Sequence, residues 1–349
     1  MLSLRDLNRA TLARQHLLSR HKGEVADVVH RLAGLQAQEP RPPYLGVWTR
    51  LEGFERDDLH AALHARTLVR ATMWRATLHL VTAADFAAFR PLLRPVLESA
   101  ARRFDGVDFE AVVAAADRLL AAGPMTFNEL RPRLLAEFPG AYDRALGYAV
   151  RMLTPLIITP TEDRWSFPRD PAFGLPGIAV TPAEPSSLIE RYLAAFGPAT
   201  PADVQTWSGL GGLRPVMEGM ELERLTDAAG RELFDLPDAP RPGGDVPAPV
   251  RFLPDFDTLI LGHADRTRVL AEEYKSRVST KNLRIKAVFL VDGFAAGTWQ
   301  IKRSGKKARL LVSPFTSVDP AALEEEGQRL LAFAEPDAAT LSIEEVDGL

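Results

Sequence analysis

Thr67-Leu68-Val69-Arg70-Ala71-Thr72-Met73 and Arg75-Ala76-Thr77-Leu78-His79-Leu80-Val81-Thr82 are two β-like runs separated by Trp74 alone. What precedes them is helical. Ser3-Leu4-Arg5-Asp6 forms a capping box, in which the serine hydroxyl and the aspartate carboxylate each satisfy a backbone N–H at the helix start. Leu7, Ala10, Ala13 and Leu17 then share one side of a helix, and Val25, Val28, Val29, Leu32 and Leu35 repeat at the helical period in a second. Pro40, Pro42 and Pro43 forbid its continuation, because proline has no N–H for the ladder. Asp57 and Asp58 open a short helix through His64. Helix, helix, short helix and two strands is the order of a winged helix; residues 83–103 follow as a longer helix.

The chain repeats one helix start. Leu120-Ala121-Ala122-Gly123-Pro124-Met125-Thr126 resembles Leu193-Ala194-Ala195-Phe196-Gly197-Pro198-Ala199-Thr200, and each threonine is followed at the third position by an acid, Glu129 or Asp203. In the first copy, residues 141–153 make a second helix, and residues 156–159 can pair with 164–167 as a wing. In the second, Gly209, Gly211 and Gly212 turn the chain into a helix over 213–220. Prolines cluster at 237, 240, 242, 247 and 249 as a connecting loop, and beyond it the period becomes that of strands. Residues 252–262 are apolar and short. Residues 284–291, the turn Asp292-Gly293 and residues 295–302 give a strong hairpin signal, and Ser304-Gly305 turns into 308–312. A helix over 320–334 and a short strand near 340–346 close the chain. The expected fold is α+β: tandem winged-helix (helix-turn-helix) units at 1–104, carrying the catalytic segment, 105–180 and 181–240, then a mainly β, barrel-like domain at 245–349.

Of 349 residues 46% are hydrophobic and 25% charged, which permits a large core and excludes wholesale disorder. There is no cysteine, so disulfides, thiol catalysis and cysteine-held metals are excluded. Arg5, Asp6, Arg9, Arg14 and Arg20 interrupt any signal-peptide core, and no apolar run approaches a membrane span. A cytoplasmic, nucleoid-associated protein is expected. The net charge of −4 hides an asymmetry: residues 275–309 hold ten cations and only Asp292 as an anion, +9 against −13 for the remainder. Such a patch sets the field a polyanion feels, although a solvated hairpin face would look the same.

Most motifs argue against other chemistries. Gly209-Leu210-Gly211-Gly212 is not a dinucleotide fingerprint, and neither a phosphate-binding Walker loop nor a GxSxG elbow occurs. Asp255, Asp257 and Asp265 lack calcium-loop spacing; Asp265-Arg266 reads as a local ion pair. His60 and His64 are spaced to share a metal but lack the glutamate of HExxH, and exposed helices carry such pairs by accident, so no metal site is expected. His79 reads as a packed core histidine. In Gly34-Leu35-Gln36-Ala37-Gln38-Glu39-Pro40, an extended backbone would aim Gln36 and Gln38 at one point, close to Tyr44 and Trp48. Two neutral amides can hold a water through both its hydrogen and its lone pair. They can equally cap the preceding helix and bind the proline loop.

Leu35-Gln36-Ala37-Gln38 with Pro43-Tyr44-Leu45-Gly46-Val47-Trp48, then Met73-Trp74-Arg75-Ala76-Thr77-Leu78-His79-Leu80-Val81, Leu253-Pro254-Asp255-Phe256-Asp257 with Asp265-Arg266, and Val291-Asp292-Gly293 with Gly297-Thr298-Trp299 together resemble the bacterial winged-helix DNA glycosylase family of AlkZ and YcaQ, over nearly the whole chain. The resemblance implies tandem winged helices before a β-barrel domain and excision of N-alkylated purines, including interstrand crosslinks and bulky genotoxin adducts. The family motif is Q-x-Q in the AlkZ branch and Q-x-D in the YcaQ branch, which makes Gln36 and Gln38 the catalytic pair. By position alone, the family's lesion-facing hairpin falls near 263–285. Lys275, Arg277, Lys281, Arg284 and Lys286 are the candidate phosphate contacts, and Tyr44, Trp48 and Trp74 line a lesion pocket unless they are core. The expected partner is double-stranded damaged DNA, with no cofactor, no metal, no membrane and a monomeric protein. The other reading is a non-enzymatic winged-helix regulator. It is disfavoured because its recognition helices would offer only Arg151 and Arg214 among base-reading side chains.

Overall fold

The computed structural model describes residues 1–104, 106–280 and 284–349. The fold is α+β, with most helices before residue 220 and the longest strands after 285. Local chemistry starts the helices where the sequence places caps. Ser3 with Asp6, Thr126 with Glu129 and Thr200 with Asp203 each form a reciprocal capping box, opening helices Leu4–Arg14, Phe127–Glu137 and Pro201–Ser208. Prolines behave in two ways. Pro42 and Pro43 sit in the first turn of a helix, Arg41–Trp48, where a missing N–H costs nothing, so a segment read as loop is helical. Residues 83–103 are two helices, Ala83–Phe89 and Arg94–Ala101, with Pro91 between them.

A six-stranded sheet runs, edge to edge, Leu35–Gln36, Leu78–Thr82, Leu68–Thr72, Ile157–Ile158, Ala172–Gly174 and Met125–Thr126. It joins segments that the sequence reading assigned to two separate units. The expected pairing of 156–159 with 164–167 is corrected: Ile157 and Ile158 pair with Gly174 and Phe173. Pro160, Pro168 and Pro171 lack ladder donors, so residues 161–166 close as a turn, with Thr161 N donating to Ser166 O at 2.7 Å.

The C-terminal sheet is also corrected. Its order is Thr340–Glu345, Lys307–Pro314, Phe294–Ser304, Val288–Val291 and Arg251–Leu253, open at both ends, not barrel-like. The helix Pro320–Ala334 packs Leu323, Leu330 and Leu331 into the core that holds Phe252, Phe289 and Trp299, giving the sheet its hydrophobic cover without closure. The apolar run at 252–262 breaks after Leu253, because Asp257 caps a short helix, Thr258–Leu261. Asp292 and Gly293 both take positive φ, 48° and 82°, as a tight primed hairpin turn requires.

Buried arginines near the N-terminus clamp aspartates from later segments. Arg50 forms a two-pronged pair with Asp257 at 2.7 and 2.9 Å, and Arg14 another with Asp235 at 2.7 Å, all four side chains fully buried. Removing one partner of such a pair strands a charge at a cost of about 3–5 kcal/mol. Asp265 pairs with Arg231 at 2.6 Å, not with its neighbour Arg266. Among the described residues no helix is long and apolar enough to cross a membrane.

Candidate functional site

The Leu35-Gln36-Ala37-Gln38 segment is held extended from three sides. Gly34 leaves the Val25–Arg31 helix at φ +90°, and a Cβ there would lie 2.7 Å from Val81 Cγ1 and 3.0 Å from the Leu80 carbonyl. Only glycine permits that approach. Gln36 then registers opposite His79, and Ala37 N donates to Leu78 O at 2.7 Å. From behind, Arg70 donates to the carbonyls of Ala37 (2.8 Å) and Gln38 (3.1 Å) while its guanidinium lies over Phe167. The amide oxygens have their own partners. Gln36 Oε1 accepts from Arg75 at 3.2 Å, and Gln38 Oε1 accepts from Leu78 N at 3.4 Å. One oxygen therefore bonds to the turn between two strands and the other to the strand Leu78–Thr82, not to a helix end or the proline loop. Each retains a second lone pair, and each amide its NH₂ donors.

Arg75 carries an unusual conformation. It sits at φ 53°, ψ 24°, followed by Ala76 at φ 57°, two non-glycine residues in the left-handed region between two strands. Such strain costs on the order of 1–3 kcal/mol per residue and persists only where neighbours enforce it. Here Arg75 Nη1 donates to Trp207 O at 2.5 Å, and Trp74 packs on Trp207 with ring centroids 4.3 Å apart. Burial, and then the charge of Arg266, push the Arg75 pKa down to about 10, so it remains a cation at neutral pH. Both its hydrogen-bond partners are uncharged oxygens.

Gln38 borders two cavities, of about 520 and 490 Å³, which share Leu78, Tyr148 and Arg151 with it. The first is lined by Arg75, Arg103 and Arg151 and, among the described residues, by no carboxylate. The second has an apolar wall of Pro40, Phe127, Ile158 and Phe173. Sequence reasoning missed Arg75, Arg103 and Arg151 as a group. They come from three distant segments, and only the fold brings them to one wall.

The basic C-terminal segment is more internally engaged than its charge suggests. Lys275 pairs with Glu272, Lys286 donates to the Leu349 carbonyl, and Arg277 donates to the Pro314 (3.1 Å) and Phe315 (3.3 Å) carbonyls while lying over the Phe315 ring. Arg284 pairs with Glu39 at 3.3 Å and Asp255 at 3.4 Å. Lys281 lies outside the described residues. Ser279 and Ile285 bridge in antiparallel fashion, and Arg284 beside them pairs with Glu39, next to Gln38.

The three candidate pocket aromatics are buried. Trp48 stacks on Phe333, Trp74 donates to Ala33 O at 3.0 Å, and the Tyr44 hydroxyl bonds to Ser166; none lines either cavity beside Gln38. His79 is a packed histidine: burial first, then Arg75, push its pKa down to about 3. Among the described residues one group could ligate a metal, His60 and His64 with Glu162.

The family model described as "DNA glycosylase AlkZ-like" matches residues 29–333. The chain is 28% identical, over 337 residues, to an interstrand DNA cross-link repair glycosylase of Streptomyces sahachiroi, covering 88% of this chain and 89% of that protein. Its fold is similar to the structure of Streptomyces sahachiroi DNA glycosylase AlkZ, with a TM-score of 0.79 and 22% identity over 99% of this chain and 100% of the other.

Proposed function

The chain belongs to the AlkZ-like DNA glycosylase family, and from this we propose that it excises N7-alkylated, positively charged purines from double-stranded DNA, with Gln36 and Gln38 positioning the attacking water at C1′. A cationic base needs no proton to leave. When the C1′–N9 bond breaks, its electron pair neutralises the purine; water then forms the new C1′–O bond and releases a proton to solvent. The protein has to place that water and to stabilise an oxocarbenium-like transition state by fixed dipoles, both of which oriented amides can do. The observation that carries the reading is the fixing of both side-chain oxygens, by Arg75 and by the Leu78 N–H, with Gln38 and Arg75 in the wall of a cation-lined cavity.

The name of the Streptomyces relative supports interstrand crosslinks as substrates. The helical part reads as three winged-helix units, at 1–104, 105–180 and 181–240, before the β domain at 245–349. The family's lesion-facing hairpin falls, by position, near 263–285, and the Arg284–Glu39 pair supports placing the end of that stretch beside Gln38. DNA phosphates meet Arg103 and Arg151 at the cavity and Lys275, Arg277, Lys281, Arg284 and Lys286 on the basic segment. The protein acts as a monomer. Incubation with duplexes carrying N7-methylguanine or an interstrand crosslink, followed by heating in alkali, tests this: strand breaks at the lesion are expected, and intact strands with both substrates would contradict it.

A further inference from the structure

The helix Arg56–His64 presents His60 and His64 one turn apart, away from the cavities that Gln38 borders. The turn at 161–166 brings Glu162 against both. His60 Nε2 lies 3.2 Å from one Glu162 oxygen and His64 Nε2 lies 3.7 Å from the other, with the two imidazole centroids 4.3 Å apart. The three ligand atoms fall within 4.8 Å of one another. A tetrahedral ion with bonds of about 2.0–2.2 Å holds its donor atoms ~3.3–3.6 Å apart, so an ion enters with small side-chain rotations.

We propose that His60, His64 and Glu162 bind a divalent cation of the zinc type, with water at the fourth position, which ties the 56–64 helix to the 161–166 turn. A second observation, on the far side of the His60 ring from the carboxylate, supports it. His60 Nδ1 lies 3.1 Å from Ser166 Oγ, and that hydroxyl bonds to the buried hydroxyl of Tyr44. Ser166 is fully buried and held at φ 61°. This chain fixes the His60 ring and turns Nε2 outward to the carboxylate, the outer-shell arrangement that orients metal-binding histidines. A plain surface ion pair needs no such support, and with Glu162 86% exposed its net contribution would be small. The site is structural: no lining residue of the Gln38 cavities belongs to it.

The test uses the full chain, stripped with EDTA and dialysed. Titration with zinc by calorimetry should give one equivalent bound and raise the melting temperature by several degrees, since the ion binds the native state. Cobalt should give the absorption of a tetrahedral complex. Glu162→Gln and His64→Ala should each weaken binding at least 10-fold, and Ser166→Ala about 10-fold through loss of ring orientation. Glu162 is exposed, so Glu162→Gln keeps the test valid even where a core variant does not fold. Binding of unchanged affinity in Glu162→Gln, or no saturable binding beyond that of the His60→Ala/His64→Ala double variant, would overturn the proposal.

Discussion

Arg75 donates one guanidinium nitrogen to the Gln36 side-chain oxygen at 3.2 Å and the other to the Trp207 carbonyl at 2.5 Å. The fork spans two elements with two separate nitrogens, a geometry that the single ammonium nitrogen of a lysine does not reproduce. Arg75 is a positioning residue for Gln36. Arg75→Lys and Arg75→Ala should each slow single-turnover excision by about 10-fold. In a double-mutant cycle, adding Arg75→Ala to Gln36→Ala should cost under about 3-fold more. Fully multiplicative losses would mean that Arg75 acts elsewhere.

Two sets of cations compete as the DNA footprint. Arg103→Ala and Arg151→Ala should each flatten the dependence of log K on log salt by about 0.9, as expected when one fewer phosphate is neutralised. Charge reversal at Lys281, Arg284 and Lys286 should weaken binding to damaged and undamaged duplexes alike. Arg284 also holds Glu39, so its reversal should slow excision as well. Unchanged salt slopes in both sets would place the duplex on another face.

Much of this arrangement was legible in the sequence, for a physical reason. Capping boxes, the Asp292-Gly293 turn and the extended geometry before Pro40 are local properties, fixed by neighbours in the chain. What escaped depends on long-range contact. The Arg41–Trp48 helix was hidden because proline both ends and begins helices. The open C-terminal sheet could not be told from a barrel, since closure is decided by whether Arg251–Leu253 meets Thr340–Glu345, and the Pro320–Ala334 helix covers the sheet instead. At the site, the extended segment that carries Gln36 and Gln38 was readable. Their supports, Arg70 and Arg75, were not, because nothing local tells an arginine in a β run from a solvated one. Likewise Glu162, 102 residues from His60, converts an incidental histidine pair into three converging ligands.

Burial, with Arg75 adding to it at His79 and Arg268 at His263, pushes both histidines down to about 3. Unfolded histidine titrates near 6.5, so between these values the unfolded chain binds more protons. Their contribution to stability is therefore complete above about pH 6.5 and drains away as the pH falls towards 3. Urea midpoints should fall between pH 7 and pH 4.5, and His79→Asn should make that fall shallower. A midpoint that rises on acidification would contradict the burial of these rings in the native state.

The amides do not titrate, so excision of a cationic base should be nearly constant between about pH 6 and 9. Without a general acid, a neutral leaving base keeps a high barrier. N7-methylguanine should be released in the presence of EDTA, and uracil or 8-oxoguanine in the same duplex should stay. Efficient uracil release would show that an acid takes part, with Glu39 the first suspect because it neighbours Gln38. Loss of N7-methylguanine excision on chelation would move the metal ligands His60 and His64 into the reaction.

The most direct measurement is single-turnover excision of N7-methylguanine by the wild type, Gln36→Ala and Gln38→Ala, with lesion-duplex binding measured alongside. Each variant removes one oriented hydrogen-bonding group and leaves the backbone held by Arg70 and the Leu78 carbonyl. Each should therefore excise about 10-fold to 1000-fold more slowly while binding almost as before. Wild-type rates in both variants would contradict the account and return the two glutamines to a structural role.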